Sequence, residues 1–289
     1  MGELQSLHPG RTMPEPVTPA TTEAPQSPEA TSRSESSRPL LEVRSLAVQF
    51  GGIVALADVS LAVSAGESLG IVGPNGAGKT TLFNCVCGQI TSYKGTIEFE
   101  GRTIDKMPVY RRARLGMART FQRIQVFSEM TVREHMLVAE RARRGDGALW
   151  KDLLNMGRPS ADEHRRCDQI VELVGLEEVA DTPVAALPLG LCRLVELGRA
   201  LALEPKLLLA DEPSSGLDTH ETVRLAALLR RVQADRSTAV LLVEHDLDVV
   251  AGVVDRVVVL DFGHVIASGP LEQVIADPVV RRAYLGKPA

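Results

Sequence analysis

From Leu40 onward the chain breaks into short apolar runs separated by glycine and charge, and the period of each run predicts its element. "LEVRSLAVQF" (41–50) alternates and reads as a strand, with "ALADVSLAV" (55–63) as its partner and "AGE" (65–67) as the turn after it. "ESLGIVG" (67–73) is a short apolar run closed by glycine, which suits a strand buried on both faces. In "GKTTLFNCVCG" Leu82, Phe83 and Val86 fall at helical spacing before Gly88. "KGTIEFEGRTI" (94–104) reads as a hairpin, and residues 108 to about 200 carry mostly helical signals. "KLLLADEP" (206–213) is a second buried strand, and "HETVRLAALLRRVQAD" (220–235) is amphipathic through Leu225, Leu228, Leu229 and Val232. "TAVLLVEHD" and "DRVVVLDFGHVIASG" supply further strands. Strands alternating with helices predict a parallel sheet covered on both faces, with a helical insertion in the middle.

Residues 1–39 do not follow this pattern. They hold seven prolines and eleven Ser or Thr, with no aromatic, Ile or Cys. Such a segment cannot bury enough apolar area to offset its ordering entropy, so it is predicted to be a disordered, solvated tail.

Composition narrows the function classes. With 289 residues and 44% hydrophobic content the chain can bury a full core. Its net charge of −5 argues against a general nucleic-acid binder. The arginine clusters at 111–123, 141–144 and 165–166 are accordingly read as solvated helix faces. Cys85, Cys87, Cys167 and Cys192 form no CxxC pair, and read as reduced thiols of a cytosolic protein. No apolar stretch reaches the roughly 18 residues of a membrane span, and no secretory signal opens the chain. Work at a membrane would therefore require another protein as anchor.

The chemistry lies in "GPNGAGKTT", Gly73–Thr81, which satisfies G-x-x-x-x-G-K-[ST] between a strand and a helix. Gly73, Pro74, Asn75, Gly76, Ala77 and Gly78 can curl so that backbone N–H groups converge on a phosphate, at the positive end of a helix dipole. Lys79 can bridge the β- and γ-phosphates, and the hydroxyl of Thr80, followed by Thr81, can ligate Mg²⁺. The ligand that fits is a nucleotide triphosphate. "LLLADEP" adds Asp211, suited to the metal, and Glu212, placed to accept a proton from attacking water.

In these motifs and those that follow, residues 40–289 resemble the ATP-binding cassette (ABC) family. In order they read "GPNGAGKTT", "RTFQ" with Gln122, "LPLGL" (187–191), "LLLADEP", "SSGLD" ending at Asp218, and "LLVEHD" with His245. The resemblance implies an α/β fold, a P-loop NTPase with a RecA-like parallel-sheet core, an antiparallel β-subdomain and a helical subdomain over roughly 125–200. It implies that Gln122 contacts Mg²⁺ or the attacking water, that His245 contacts the γ-phosphate, that Asp218 works across a dimer interface, and that Phe50 stacks on adenine. "GMARTFQRIQVFSEMTVREHMLVAE" and "SGPLEQVIADPVVRRAYLG" look like the larger ATPase of branched-chain amino-acid importers. By that likeness Arg123–Met136, with Phe127 and Met130 as anchors, receives a coupling helix from a membrane subunit.

The signature loop departs from the family. Pro188, Leu189, Gly190, Leu191 and Cys192 stand where the subfamily carries Pro and an aromatic followed by Gly-Gln-Gln. Gly190 can still present backbone to nucleotide, but Leu191 offers no side-chain hydrogen bond. The expectation is an asymmetric heterodimer, in which the composite site built on this chain's signature hydrolyses slowly. The function implied is an ATPase, with ATP and Mg²⁺, that energises uptake of branched-chain or related small amino acids. Its partners would be integral-membrane permease subunits, a second ABC ATPase (or a copy of itself) and a solute-binding protein, with no nucleic acid. It would sit peripherally on the cytoplasmic face of the inner membrane. The alternatives are a urea or amide importer ATPase, or a soluble or regulatory ABC ATPase.

Overall fold

The computed structural model describes residues 38–120, 127–144 and 160–285. β1 (Leu41–Phe50) pairs antiparallel with β2 (Ile53–Val63) on one side and β4 (Lys94–Phe99) on the other, and β5 (Arg102–Thr103) closes the predicted hairpin. This four-stranded sheet has the order β2-β1-β4-β5.

The second sheet has six strands in the order β10-β9-β3-β8-β7-β6. β3 (Ser68–Val72), β7 (Leu207–Asp211) and β8 (Ala239–Val243) are buried at every residue. β6 (Met117–Arg119), β7, β8, β3 and β9 (Arg256–Asp261) run parallel, and β10 (His264–Gly269) returns antiparallel. Their side chains alternate between two apolar layers. Leu207, Leu209, Leu241 and Val243 pack toward the antiparallel sheet and the first helix, α1 (Lys79–Cys87). Leu208, Ala210, Val240 and Leu242 pack toward the opposite layer. Each fully buried aliphatic side chain contributes roughly 1.5–3 kcal/mol, so both faces hold the sheet in register.

The opposite layer includes three helices that pack on one another: α3 (Val132–Arg144), α4 (Ala161–Val174) and α5 (Leu189–Ala202). α2 (Val109–Arg114) precedes β6, which is a strand inside a stretch whose signals read as helical. Three residues are too few to show an alternating period, so this edge strand was hidden. α6 (Thr219–Arg236) follows β7, and Leu225, Leu228, Leu229 and Val232 are its buried face, as the spacing predicts. α7 (Leu247–Val253), α8 (Leu271–Ala276) and α9 (Pro278–Leu285) are the last helices of the described residues.

The arginine clusters are not all solvated faces. Arg112 is 1% exposed and donates to the carbonyls of Cys85, Val86, Asp105 and Met107. Two of these acceptors lie in the last turn of α1, so the cation stabilises the negative end of that helix dipole. Arg143, Arg144 and Arg166 converge on the buried Glu140, joining α3 to α4. Net charge misleads here because it ignores local partners. Among the described residues no helix is long and apolar enough to cross a membrane.

Candidate functional site

The loop between β3 and α1 needs glycine at three positions, two of them for space as well as conformation. At Gly73 (φ 148°) a Cβ would lie 2.1 Å from the Leu260 carbonyl oxygen, and at Gly78 (φ 105°) 2.6 Å from that of Ala55. Gly76 (φ 83°) has open space around it, so its conformation alone excludes other residues. The Ala77 N–H closes the curl on the Pro74 carbonyl at 3.2 Å. Gly78 is the N-cap of α1, which has no side-chain cap and no acid in its first turn. The first-turn N–H groups are thus left to an anion. Asn75, Gly76 and Thr80 are exposed, and Pro74 and Thr81 are half-buried.

Lys79 is buried and lies back along the loop, its Nζ donating to the carbonyls of Gly73 (2.7 Å) and Pro74 (3.0 Å). Burial pushes its pKa down, while Glu212 and Asp211 oppose that shift. Glu212 lies beyond the end of β7 in a left-handed conformation (φ 47°), which is uncommon for a side chain of this kind. Its N–H is fixed to the Val243 carbonyl at 2.8 Å. Its Oε1 meets His245 Nε2 at 2.5 Å.

Asp211 ends β7 and accepts at Oδ2 from Arg119 Nη2 at 2.8 Å. Thr80 and Asp211 offer only oxygen, the donor type of a hard cation that arrives with phosphate oxygens. Among the described residues no group of three His, Cys, Asp or Glu could hold a metal. The oxygen donors of Thr80 and Asp211 fit Mg²⁺ that arrives with a triphosphate.

Phe50 is 52% exposed and pairs with Ile53, two residues before the Ala55 carbonyl that confines Gly78. Gln122 lies outside the described residues. Asp218 and Gly190 form a second group. The Asp218 carboxylate accepts from the Glu221 N–H at 2.8 Å, Glu221 accepts from the Asp218 N–H at 3.0 Å, and this reciprocal box caps α6. Gly190 lies in the first turn of α5, so close to Glu221 that a Cβ would sit 2.0 Å from Oε1. Pro188 is the N-cap of α5 and supplies no side-chain bond. Leu191 packs, partly buried, against the apolar layer, and Cys192 is buried with its Sγ 3.6 Å from the Leu187 carbonyl. The two unusual signature residues thus face inward, and Leu189, 46% exposed, is the outward one.

Sequence reasoning missed Arg119 and Glu244. The buried Glu244 accepts from the Ser214 N–H (2.8 Å) and the His245 N–H (3.1 Å), tying the segment after Glu212 to the histidine. The one hint was an acid directly before His245, just past a buried apolar run.

A glycine-curled loop, a lysine, paired acids and a histidine on adjacent parallel strands are the ingredients of an ATPase, and the comparisons decide which one. The "ABC transporter" family matches residues 56–215. The chain belongs to the ABC transporter family. It is an ATPase and an ATP-binding subunit of that kind, with the expected fold. The "Branched-chain amino acid ATP-binding cassette transporter" family matches residues 264–289, which begin at β10 and include α8 and α9. The high-affinity branched-chain amino acid transport ATP-binding protein LivG of Salmonella typhimurium is 38% identical, over 87% of this chain and 99% of its own length. BraF of Pseudomonas aeruginosa, of the same description, is 37% identical over the same shares. A nucleotide-free ATP-binding cassette from an ABC transporter is 30% identical, with a TM-score of 0.75 over 86% of this chain and all of that one. Another ABC transporter cassette, in its ADP conformation, gives the same identity and TM-score over 87% and 100%.

Proposed function

We propose that this ATPase energises uptake of branched-chain or related small amino acids. It would act with integral-membrane permease subunits, a second ABC ATPase and a solute-binding protein, peripherally on the cytoplasmic face of the inner membrane. The named relatives and the family match at 264–289 support the solute class. The observation that carries the chemistry is the 2.5 Å Glu212–His245 contact beside the loop that Lys79 braces.

Gly73 to Gly78 cradle the triphosphate with backbone N–H groups, and Lys79 leaves its two carbonyls for the β- and γ-phosphates. Each charge-assisted bond contributes on the order of 1.5–3 kcal/mol. Thr80 and Asp211, with Gln122, would hold Mg²⁺, which when bound would offset phosphate charge. Glu212 takes the proton of a water whose oxygen bonds to the γ-phosphorus as the bond to the β-γ bridging oxygen breaks, leaving ADP and phosphate. A placed base accelerates such a step about 10²–10⁴-fold. His245 holds Glu212 in position and reaches toward the γ-phosphate. Phe50 stacks on adenine. Gly190 and Asp218 serve the nucleotide bound by the opposite subunit.

The test is uptake by proteoliposomes that contain this chain with its membrane and solute-binding partners. Leucine should accumulate with ATP on the cytoplasmic side, and Lys79→Ala should abolish it. Urea uptake without leucine would transfer the site to an amide importer. ATP turnover indifferent to every membrane subunit would sink the transport reading.

A further inference from the structure

Asp211 does not stand alone at the end of β7. Arg119, 13% exposed at its side chain, meets it at 2.8 Å, and Asp211 is itself only 7% exposed there. The same guanidinium donates through Nη1 to Asn84 Oδ1 (2.9 Å) and Gln89 Oε1 (3.0 Å), and it lies 3.6 Å from Cys87 Sγ and 5.7 Å from the Phe83 ring centre. Four of these groups lie in or just after α1, the helix that starts at the phosphate loop. Arg119 is also the last residue of β6, beside Leu209 of β7 and one residue before Thr120, whose N–H binds the Leu209 carbonyl.

The geometry points to Arg119 as a positioning residue for the metal-side carboxylate, a role that rests on the reading of Asp211 given above. A cation with several anchors is not a loose placeholder. It fixes Oδ2, leaves the carboxylate one orientation, and ties β7 to α1, the helix that carries Thr80. Groups that orient a metal-binding carboxylate typically change metal affinity 10–100-fold when removed. A guanidinium suits the task because its rigid planar fork sends separate nitrogens to Asp211 and to the α1 side, with donors in fixed directions that a compact ammonium lacks.

The experiment titrates Mg²⁺ into the full chain with a fluorescent ATP analogue and reads binding, not turnover. Arg119→Gln should raise the Mg²⁺ concentration for half-maximal binding at least tenfold, with Arg119→Lys between it and the unchanged protein. Binding of the analogue in EDTA should stay within about twofold, which a general loss of structure would not permit. Asn84→Ala, which removes one anchor only, should raise the midpoint a few-fold and covers the case in which Arg119→Gln does not fold. Asp211→Asn is the reference. If it shifts the midpoint and the Arg119 and Asn84 variants do not, the positioning role falls alone. If Asp211→Asn leaves the midpoint in place, the metal reading falls and takes this role with it. A midpoint lowered by Arg119→Gln would make Arg119 a competitor of the cation and overturn the proposal.

Discussion

Helices α1 and α5, like the short α2 and α8, begin without a side-chain cap, whereas α4 and α6 begin with reciprocal capping boxes built on Ser160 and Asp218. The starts of α1 and α5 leave backbone N–H groups to be satisfied from outside the helix. Their surroundings differ. Around α1 stand Lys79, Thr80, two acids and a histidine. Around α5 stand Pro188, an exposed Leu189 and Gly190, with Leu191 and Cys192 turned inward. The α5 start is also held against its own chain. Arg193 donates to the Ser215 carbonyl at 3.4 Å, and Leu189 lies over Gly216. One start carries a full set of side-chain chemistry, and the other offers backbone alone. An ATPase pair assembled from such halves is expected to work unequally.

The strongest way to break this comparison is to remove the base on each side in turn. In the reconstituted pair, Glu212→Gln here should cut ATP turnover about 10²–10⁴-fold. The matching change in the partner, which disables the site that borrows this chain's α5, should cost far less. Equal losses would mean that a backbone-only start is as competent as any other, and the asymmetry would be gone. ATP retention should persist in Glu212→Gln, since Lys79 and the loop are untouched.

A second comparison sets glycine against glycine. Alanine at position 73 would place a methyl 2.1 Å from a backbone carbonyl, on a sheet strand that cannot yield, at φ 148°. Gly73→Ala should cost roughly 3–5 kcal/mol of unfolding free energy. At Gly190 the obstacle is Glu221 Oε1, the end of a side chain that can swing away. Its departure sacrifices one half of the α6 capping box, so Gly190→Ala should cost about 1 kcal/mol. Urea midpoints measure both. Similar shifts would show that the α5 start is as tightly framed as the phosphate loop.

The parallel sheet, the antiparallel hairpins and the phosphate loop were legible because period and glycine spacing are local properties. Leu208 and Leu209 face opposite layers for the same reason that a strand alternates. What stayed hidden is non-local. Arg119 and Asp211 are 92 residues apart in sequence, and nothing in "GMARTFQ" says that its arginine pairs with a carboxylate. Arg112 looked like surface charge because carbonyl acceptors leave no trace in composition. Leu191 and Cys192 were noticed as departures, but their inward direction depends on the packing of α5, which the loop sequence does not contain.

The smallest effect sharpens that last point. Cys192 Sγ approaches the carbonyls of Leu187 (3.6 Å) and Val184 (3.7 Å), and burial pushes its thiol pKa up. A raised pKa keeps the thiolate, the reactive form, scarce at neutral pH. Burial likewise lifts Cys85 to about 12, and Cys87 and Cys167 to about 11. Iodoacetamide at pH 7.5 should therefore label none of the four until denaturant is added. Cys192→Ala removes one sulfur from a tolerant site and should cost about 1 kcal/mol or less. Turnover of the reconstituted pair should stay within twofold. If nucleotide instead protected Cys192 from rapid labelling, or its loss slowed turnover tenfold, the thiol would have to face the nucleotide side. The two helix starts would then both act through side chains, and their contrast would be one of degree.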